Sequence, residues 1–182
     1  MTLASSDLLA PIVEYYDATI RAHGPSARGV DWNSTESQEL RFAQLLKICP
    51  SLDGASLNDY GCGYGALLTY IQRPFDSAQG RPIDSAHGSH VSYTGFDITI
   101  AMLDEARRLH PGERFVDSED ALPIADYTVA SGIFNVRLQA TDEAWREHVL
   151  GTIHKIADRS RSGFAFNMLT SYAAQERKQP YL

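Results

Sequence analysis

Residues 57–71, LNDYGCGYGALLTYI, set an aspartate two places before three glycines that recur at every second position. The run SLNDY at 56–60 reads as a short strand and the residues after the glycines as a helix, so Gly61, Gly63 and Gly65 occupy a strand-to-helix turn. In an open parallel sheet, ligands bind beyond the carboxyl ends of the strands, and the first such turn is where the backbone approaches them most closely. Glycines there permit positive φ and leave room against the main chain, while the next helix aims its free N–H groups at an anionic end.

The rest of the chain agrees with a parallel sheet. VSYTGFD (91–97), RFVDS (114–118), YTVASGIF (127–134) and GFAFNML (163–169) are short runs rich in β-branched and aromatic residues, and helical patterns separate several of them. Residues 99–111 offer Thr99 as a cap, Met102, Leu103, Ala106 and Leu109 as a buried stripe, and Pro111 as a stop. Residues 142–161 bury Trp145, Val149, Ile153 and Ile156, with acids in the first turn and bases in the last. Two helices precede the first strand. One carries Ile12, Val13, Tyr16 and Ile20 and stops at Gly24; the other opens with Asn33 and Glu36 as a capping box and runs Phe42, Leu45, Leu46 and Cys49 along one face to Pro50. Strand alternating with helix implies an α/β fold, a parallel sheet with helices on both faces. The expected division is an N-terminal helical cap over 1–50 and a core over 51–182.

The chain has 182 residues, 43% of them apolar, which suits a real hydrophobic core. A formal net charge of −7 leaves no basic field for a phosphate backbone, so DNA is not an expected partner. The two cysteines, Cys49 and Cys62, and an N-terminus carrying Asp7 and Glu14 rather than a basic secretory leader point to a reducing cytoplasm. No run approaches the roughly 20 apolar residues needed to cross a bilayer.

Two ligand classes use a glycine-rich turn of this kind. Gly61, Gly63 and Ala66 fit G-x-G-x-x-G/A, the dinucleotide pattern, so a nicotinamide-dependent oxidoreductase is one reading. Asp59 favours another: a carboxylate aimed into the turn repels a pyrophosphate and attracts a ligand bearing an ammonium and a sulfonium, which is S-adenosylmethionine.

At these residues the chain resembles the class I S-adenosylmethionine-dependent methyltransferases. NDYGCGYG resembles the family's first motif, D-x-G-x-G-x-G, and YTGFDIT its second. The resemblance covers about residues 56–169 and implies a Rossmann-like, doubly wound, mostly parallel sheet of order 3-2-1-4-5. It implies that Asp59, Gly61, Cys62, Gly63 and Gly65 line the cofactor loop and that Asp97 holds both ribose hydroxyls, a task suited to a group accepting two hydrogen bonds. Ile98 and Met102 would pack on adenine. In FVDSEDALP, Asp117 and Ser118 would meet the adenine edge, with Glu119 as the alternative, and YTVASGIFNV would bring Gly132 and Asn135 to the cofactor. Tyr16 and Trp32 as a roof, with Tyr15 beside them, and Arg137, Asn167 and Tyr172 are substrate candidates. No D/N-P-P-Y tetrapeptide follows the fourth strand, which tilts the acceptor toward a small molecule, and no general base is named.

A structural reading stands beside each assignment. Asp59 could order its turn, Asp97 could satisfy loop amides, and Ile98, Met102 and the aromatic residues are equally good interior groups. Cys62 could contribute backbone alone.

Asp97 lies 36 positions after Gly61, where about 20 is expected. The octapeptide RPFDSAQG at 73–80 is followed at once by RPIDSAHG at 81–88, and removing both copies restores the spacing. The segment 72–90 is therefore expected to be a loop insertion at the end of the sheet remote from the ligand. His87 and His90 lack a further ligand cluster, so no metal is expected. After Leu169 only 13 residues remain for the helix and two strands the family normally adds, so those C-terminal strands are expected to be missing. The fifth strand would then be an exposed edge, open to homodimer formation, and a non-catalytic cofactor-binding remnant is a further alternative.

Overall fold

The computed structural model describes residues 5–73 and 91–168. The repeat insertion, His87, Tyr172 and the expected loss of C-terminal strands lie outside the described residues.

Five described strands form one sheet of order β3-β2-β1-β4-β5, with β1 Ser56–Tyr60, β2 Ser92–Phe96, β3 Arg114–Val116, β4 Ala125–Ala130 and β5 Ser160–Phe166. Every neighbouring pair is parallel, and Asp59 sits opposite Gly95 on one side and Val129 on the other. The sheet is thus the Rossmann-like arrangement expected, and the order reverses at β1 and β4, which opens a crevice at their carboxyl ends.

Alternation along each strand divides the core between the two faces. Leu57, Tyr93, Phe115 and Val129 meet Phe42 and Leu45 of α2 (Thr35–Leu45), Leu67 and Leu68 of α3 (Ala66–Gln72), and Leu103 and Ala106 of α4 (Ile100–Leu109). On the other face Tyr60, Phe96 and Ala130 pack with Leu122 and with Ile156 of α5 (Asp142–Asp158). α1 (Ser5–His23) lies against α4 and against a 3-10 turn at Arg28–Val30. It ends where Gly24 takes φ +65° and donates its N–H to the Ile20 carbonyl.

Local readings needed four corrections, the first at Leu109, which ends α4 exposed while Met102, Leu103 and Ala106 form the buried stripe. The cap of α2 is Ser34, not Asn33: its extended backbone lets the short hydroxyl accept from the Ser37 amide at 3.2 Å. The same helix ends at Leu45 and tightens into a 3-10 turn at Leu46–Ile48 before Pro50. In α5 the buried residues are Val149, Thr152 and Ile156, whereas Trp145 and Ile153 are half-buried. Trp145 instead lies tilted against His148, with ring centroids 5.2 Å apart, and the buried Thr152 borders the cavity on that face.

Candidate functional site

The chain leaves β1 through Gly61 at φ +78° and returns over the end of β2, where the Gly61 and Cys62 amides both donate to the Phe96 carbonyl, at 2.7 and 2.9 Å. Gly63 follows at φ +54°, and Gly65, also left-handed, starts α3. These backbone turns are open to glycine at little cost, and they bring the loop under a cavity of about 190 Å³ at the carboxyl ends of β1, β2 and β4. A β-carbon built on Gly63 would lie 3.0 Å from Val30 Cγ1 and 3.9 Å from Met102 Sδ, so the absence of a side chain lets the loop pack directly beneath Val30.

Two carboxylates face this cavity. Asp59 is 2% exposed, and its Oδ2 accepts the Tyr93 hydroxyl at 2.8 Å. Burial pushes its pKa up to about 7; the Tyr93 hydrogen bond lowers it and the Asp97 charge raises it further. Asp97 accepts the Gly63 amide on Oδ2 and the Thr99 amide on Oδ1, both at 2.8 Å. Its pKa is also raised, by burial first, against the lowering effect of those amides. The second bond aligns Thr99, whose backbone position begins α4 although its hydroxyl makes no cap. Neither aspartate joins an ion pair among the described residues. Cys62, buried between them, has its thiol pKa pushed well up by desolvation and then by both carboxylates, which makes it a poor nucleophile.

The cavity brings together Asp59, Gly61, Cys62, Gly63, Asp97, Ile98, Met102, Gly132 and Asn135 from the cofactor set, and Tyr16, Trp32 and Asn167 from the substrate set. Asn167 has its carboxamide engaged: Oδ1 accepts from the Gly132 amide at 2.8 Å and Nδ2 donates to Ser131 Oγ at 3.1 Å, which ties the ends of β4 and β5 together. Gly65, Asp117, Ser118 and Arg137 are not in the lining. Gly65 faces His110, whose ring a β-carbon would meet at 2.8 Å. Asp117 and Ser118 are exposed, and Ser118 uses its hydroxyl to accept from the Asp120 amide at 3.3 Å. Glu119 is the residue of that loop that lines the cavity, held by the Tyr60 hydroxyl and by Lys155 Nζ. Arg137 pairs with Asp142.

Sequence reading missed Asp31, Gln38 and Arg41, which also line the cavity. No motif marks them, since their place depends on how α1 and α2 fold over residues far along the chain. Among the described residues no group of histidine, cysteine and carboxylate side chains could hold a metal ion, and no helix is long and apolar enough to cross a membrane.

No family model matches the chain. Over 131 residues it is 40% identical to "Putative methyltransferase Rv1506c" of Mycobacterium tuberculosis, an alignment covering 70% of the chain and 71% of that protein. Among solved structures it is similar in fold to the sugar N-methyltransferase KedS8 from Streptoalloteichus, at a TM-score of 0.53 and 16% identity, covering 87% of this chain and 55% of that one. Mycolic acid cyclopropane synthase CmaA1, complexed with SAH and CTAB, gives a TM-score of 0.52 at 16% identity, covering 80% of this chain. The chain spans about half the length of these two structures, 48% in the second case.

Proposed function

We propose, from the premise that this chain belongs to the class I S-adenosylmethionine-dependent methyltransferases, that it transfers a methyl group from that cofactor to a small-molecule acceptor in the cavity above Gly63. The observation that carries the cofactor assignment is the pair Asp59 and Asp97, two carboxylates facing one cavity with no cationic partner among the described residues. Holding the Asp59 carboxylate, 2% exposed, without a cation is costly, and a dinucleotide pyrophosphate would make it worse. A ligand bearing an ammonium and a sulfonium relieves it, so the residues present fit this group.

When bound, the cofactor supplies an electrophilic methyl carbon on sulfur. The chain's part is alignment and exclusion of water. Asp97, anchored by the Gly63 and Thr99 amides at the end of β2, is a two-oxygen acceptor, which suits it to a diol. Ile98 and Met102 give an apolar wall, Asp59 faces the cationic end, and the N-terminal aromatic residues cover the acceptor. The net charge of −7 supports an acceptor that is not a nucleic acid.

Isothermal titration at pH 8 tests the reading: S-adenosylmethionine and S-adenosylhomocysteine are expected to bind, and NAD is not. NAD binding without either sulfur ligand would overturn it. Asp97→Ala is expected to weaken S-adenosylhomocysteine binding by about 10- to 100-fold, on the order of 1–3 kcal/mol, because a charged acceptor is lost and two loop amides are released. An unchanged dissociation constant would remove Asp97 from the ribose role.

A further inference from the structure

Three residues from three elements meet on the α5 side of the cavity: Tyr60 of β1, Glu119 of the 3-10 turn after β3, and Lys155 of α5. The Tyr60 hydroxyl donates to Glu119 Oε1 and Lys155 Nζ donates to Glu119 Oε2, the second at 2.6 Å, so each carboxylate oxygen has its own donor. Along α5, His148, Thr152 and Lys155 stand at i, i+4 and i+7 and all line the cavity, a polar stripe where a helix facing a core would carry apolar residues. His148 senses the pair: burial first and then the Lys155 charge lower its pKa, and the Glu119 charge raises it.

The bridge adds little to stability, because the Lys155 and Glu119 side chains are 55% and 34% exposed and water screens such a pair. Its effect is on direction. The Tyr60 ring is buried and packs edge-on against Phe96 at 4.8 Å, so the core sets its place. Burial first, then the Glu119 hydrogen bond and charge, raise the Tyr60 pKa and keep the phenol a donor. In the same loop Asp117, Ser118 and Asp120 are exposed, whereas Glu119 is half-buried at the cavity wall.

We propose that Tyr60 and Lys155 are positioning residues that aim Glu119 into the cavity as an acceptor-only edge, so that the protein selects a cofactor base offering an amino group over one offering a carbonyl. This rests on the methyltransferase reading above, which brings an adenine to the loop after β3. A carboxylate only accepts, and can accept about four hydrogen bonds, so beyond its two protein donors it has room for an N–H and none for a carbonyl oxygen. Freed of either donor, the side chain would turn toward water and the cavity would lose its choice.

The test titrates the full chain with S-adenosylhomocysteine and with S-inosylhomocysteine, which carries a carbonyl oxygen where adenine carries its amino group, and reads the ratio of dissociation constants. The wild-type protein should favour the adenosyl ligand by about tenfold or more. Lys155→Met, which keeps an aliphatic stem, and Tyr60→Phe, which keeps the ring on Phe96, should each shrink that ratio at least about threefold by weakening the adenosyl ligand alone. Glu119→Gln, whose carboxamide can turn either its N–H or its oxygen to the ligand, should bring the ratio near one, and Lys155→Met added to it should change nothing further. Thermal unfolding checks that every variant is folded. A wild-type ratio near one, or a full ratio in Glu119→Gln, would overturn the proposal. An unchanged ratio in Lys155→Met or Tyr60→Phe would remove that residue from the role, and an equal loss of both ligands would make the bridge structural only. Failure of the wild-type protein to bind either ligand would instead defeat the methyltransferase reading itself.

Discussion

Valine in place of Gly63 is expected to abolish S-adenosylmethionine binding, by roughly 100-fold or more, in a protein that still folds. The new side chain would leave the loop at φ +54° and press on Val30 Cγ1, only 3.0 Å from its β-carbon. The same β-carbon would lie 3.9 Å from Met102 Sδ, so the valine would crowd the turn where the proposed cofactor must lie against bare backbone. The fold should survive because the single close contact is one methyl group of a 3-10 turn, and the strained backbone costs about 1–2 kcal/mol. Titration with S-adenosylhomocysteine reads the affinity, and a thermal melt separates lost binding from lost folding. Affinity within tenfold of wild type would mean that the loop is not the cradle.

Cofactor affinity should also fall about tenfold for each pH unit below pH 7, to about 100-fold at pH 5, while the ligand-free protein becomes more stable over the same range. Both effects come from Asp59, whose pKa burial raises to about 7. Below that value the free protein holds a proton on Asp59, and a cationic ligand must displace it to meet a carboxylate. The stability effect has the same origin and opposite direction. An unfolded aspartate ionises near pH 4 and the folded one does not, so the contribution is complete at acid pH and is lost as pH rises through 7. Asp97, Cys62 and Tyr93 surround this group, and burial raises the pKa of all three, so none supplies a compensating positive charge. Asp59→Asn keeps the acceptor for the Tyr93 hydroxyl and should flatten both profiles. An affinity that does not change between pH 6 and pH 8, or the same slope in the asparagine variant, would rule this out.

How much of the site could be read in advance depended on the range of the interaction that builds each part. The D-x-G-x-G-x-G run is a local device: strand, left-handed turns and helix follow one another within a few residues, and glycine is what those dihedrals require. Asp97 was equally accessible once the repeated octapeptide at 73–88 was set aside, because the end of β2 is a fixed place in the βαβ unit. The third-strand loop shows the other case. Counting alone could not choose among Asp117, Ser118 and Glu119, and Glu119 faces the cavity because Tyr60 of β1 and Lys155 of α5 hold it there. Likewise Ser34 rather than Asn33 caps α2, a shift of one residue between two capable caps that the helix register decides.

The sequence by itself determined the layered α/β architecture, the strand that would carry the cofactor loop and the two acids near it, since hydrophobic period and turn chemistry are properties of neighbouring residues. Only the tertiary structure decided that Asp59 is dry enough to hold a proton near neutrality, and that Trp32 meets Gly132 at the cavity. Burial and the contact of Trp32 with Gly132 are relations between segments, 100 positions apart in the second case, and no local pattern of residue types encodes them.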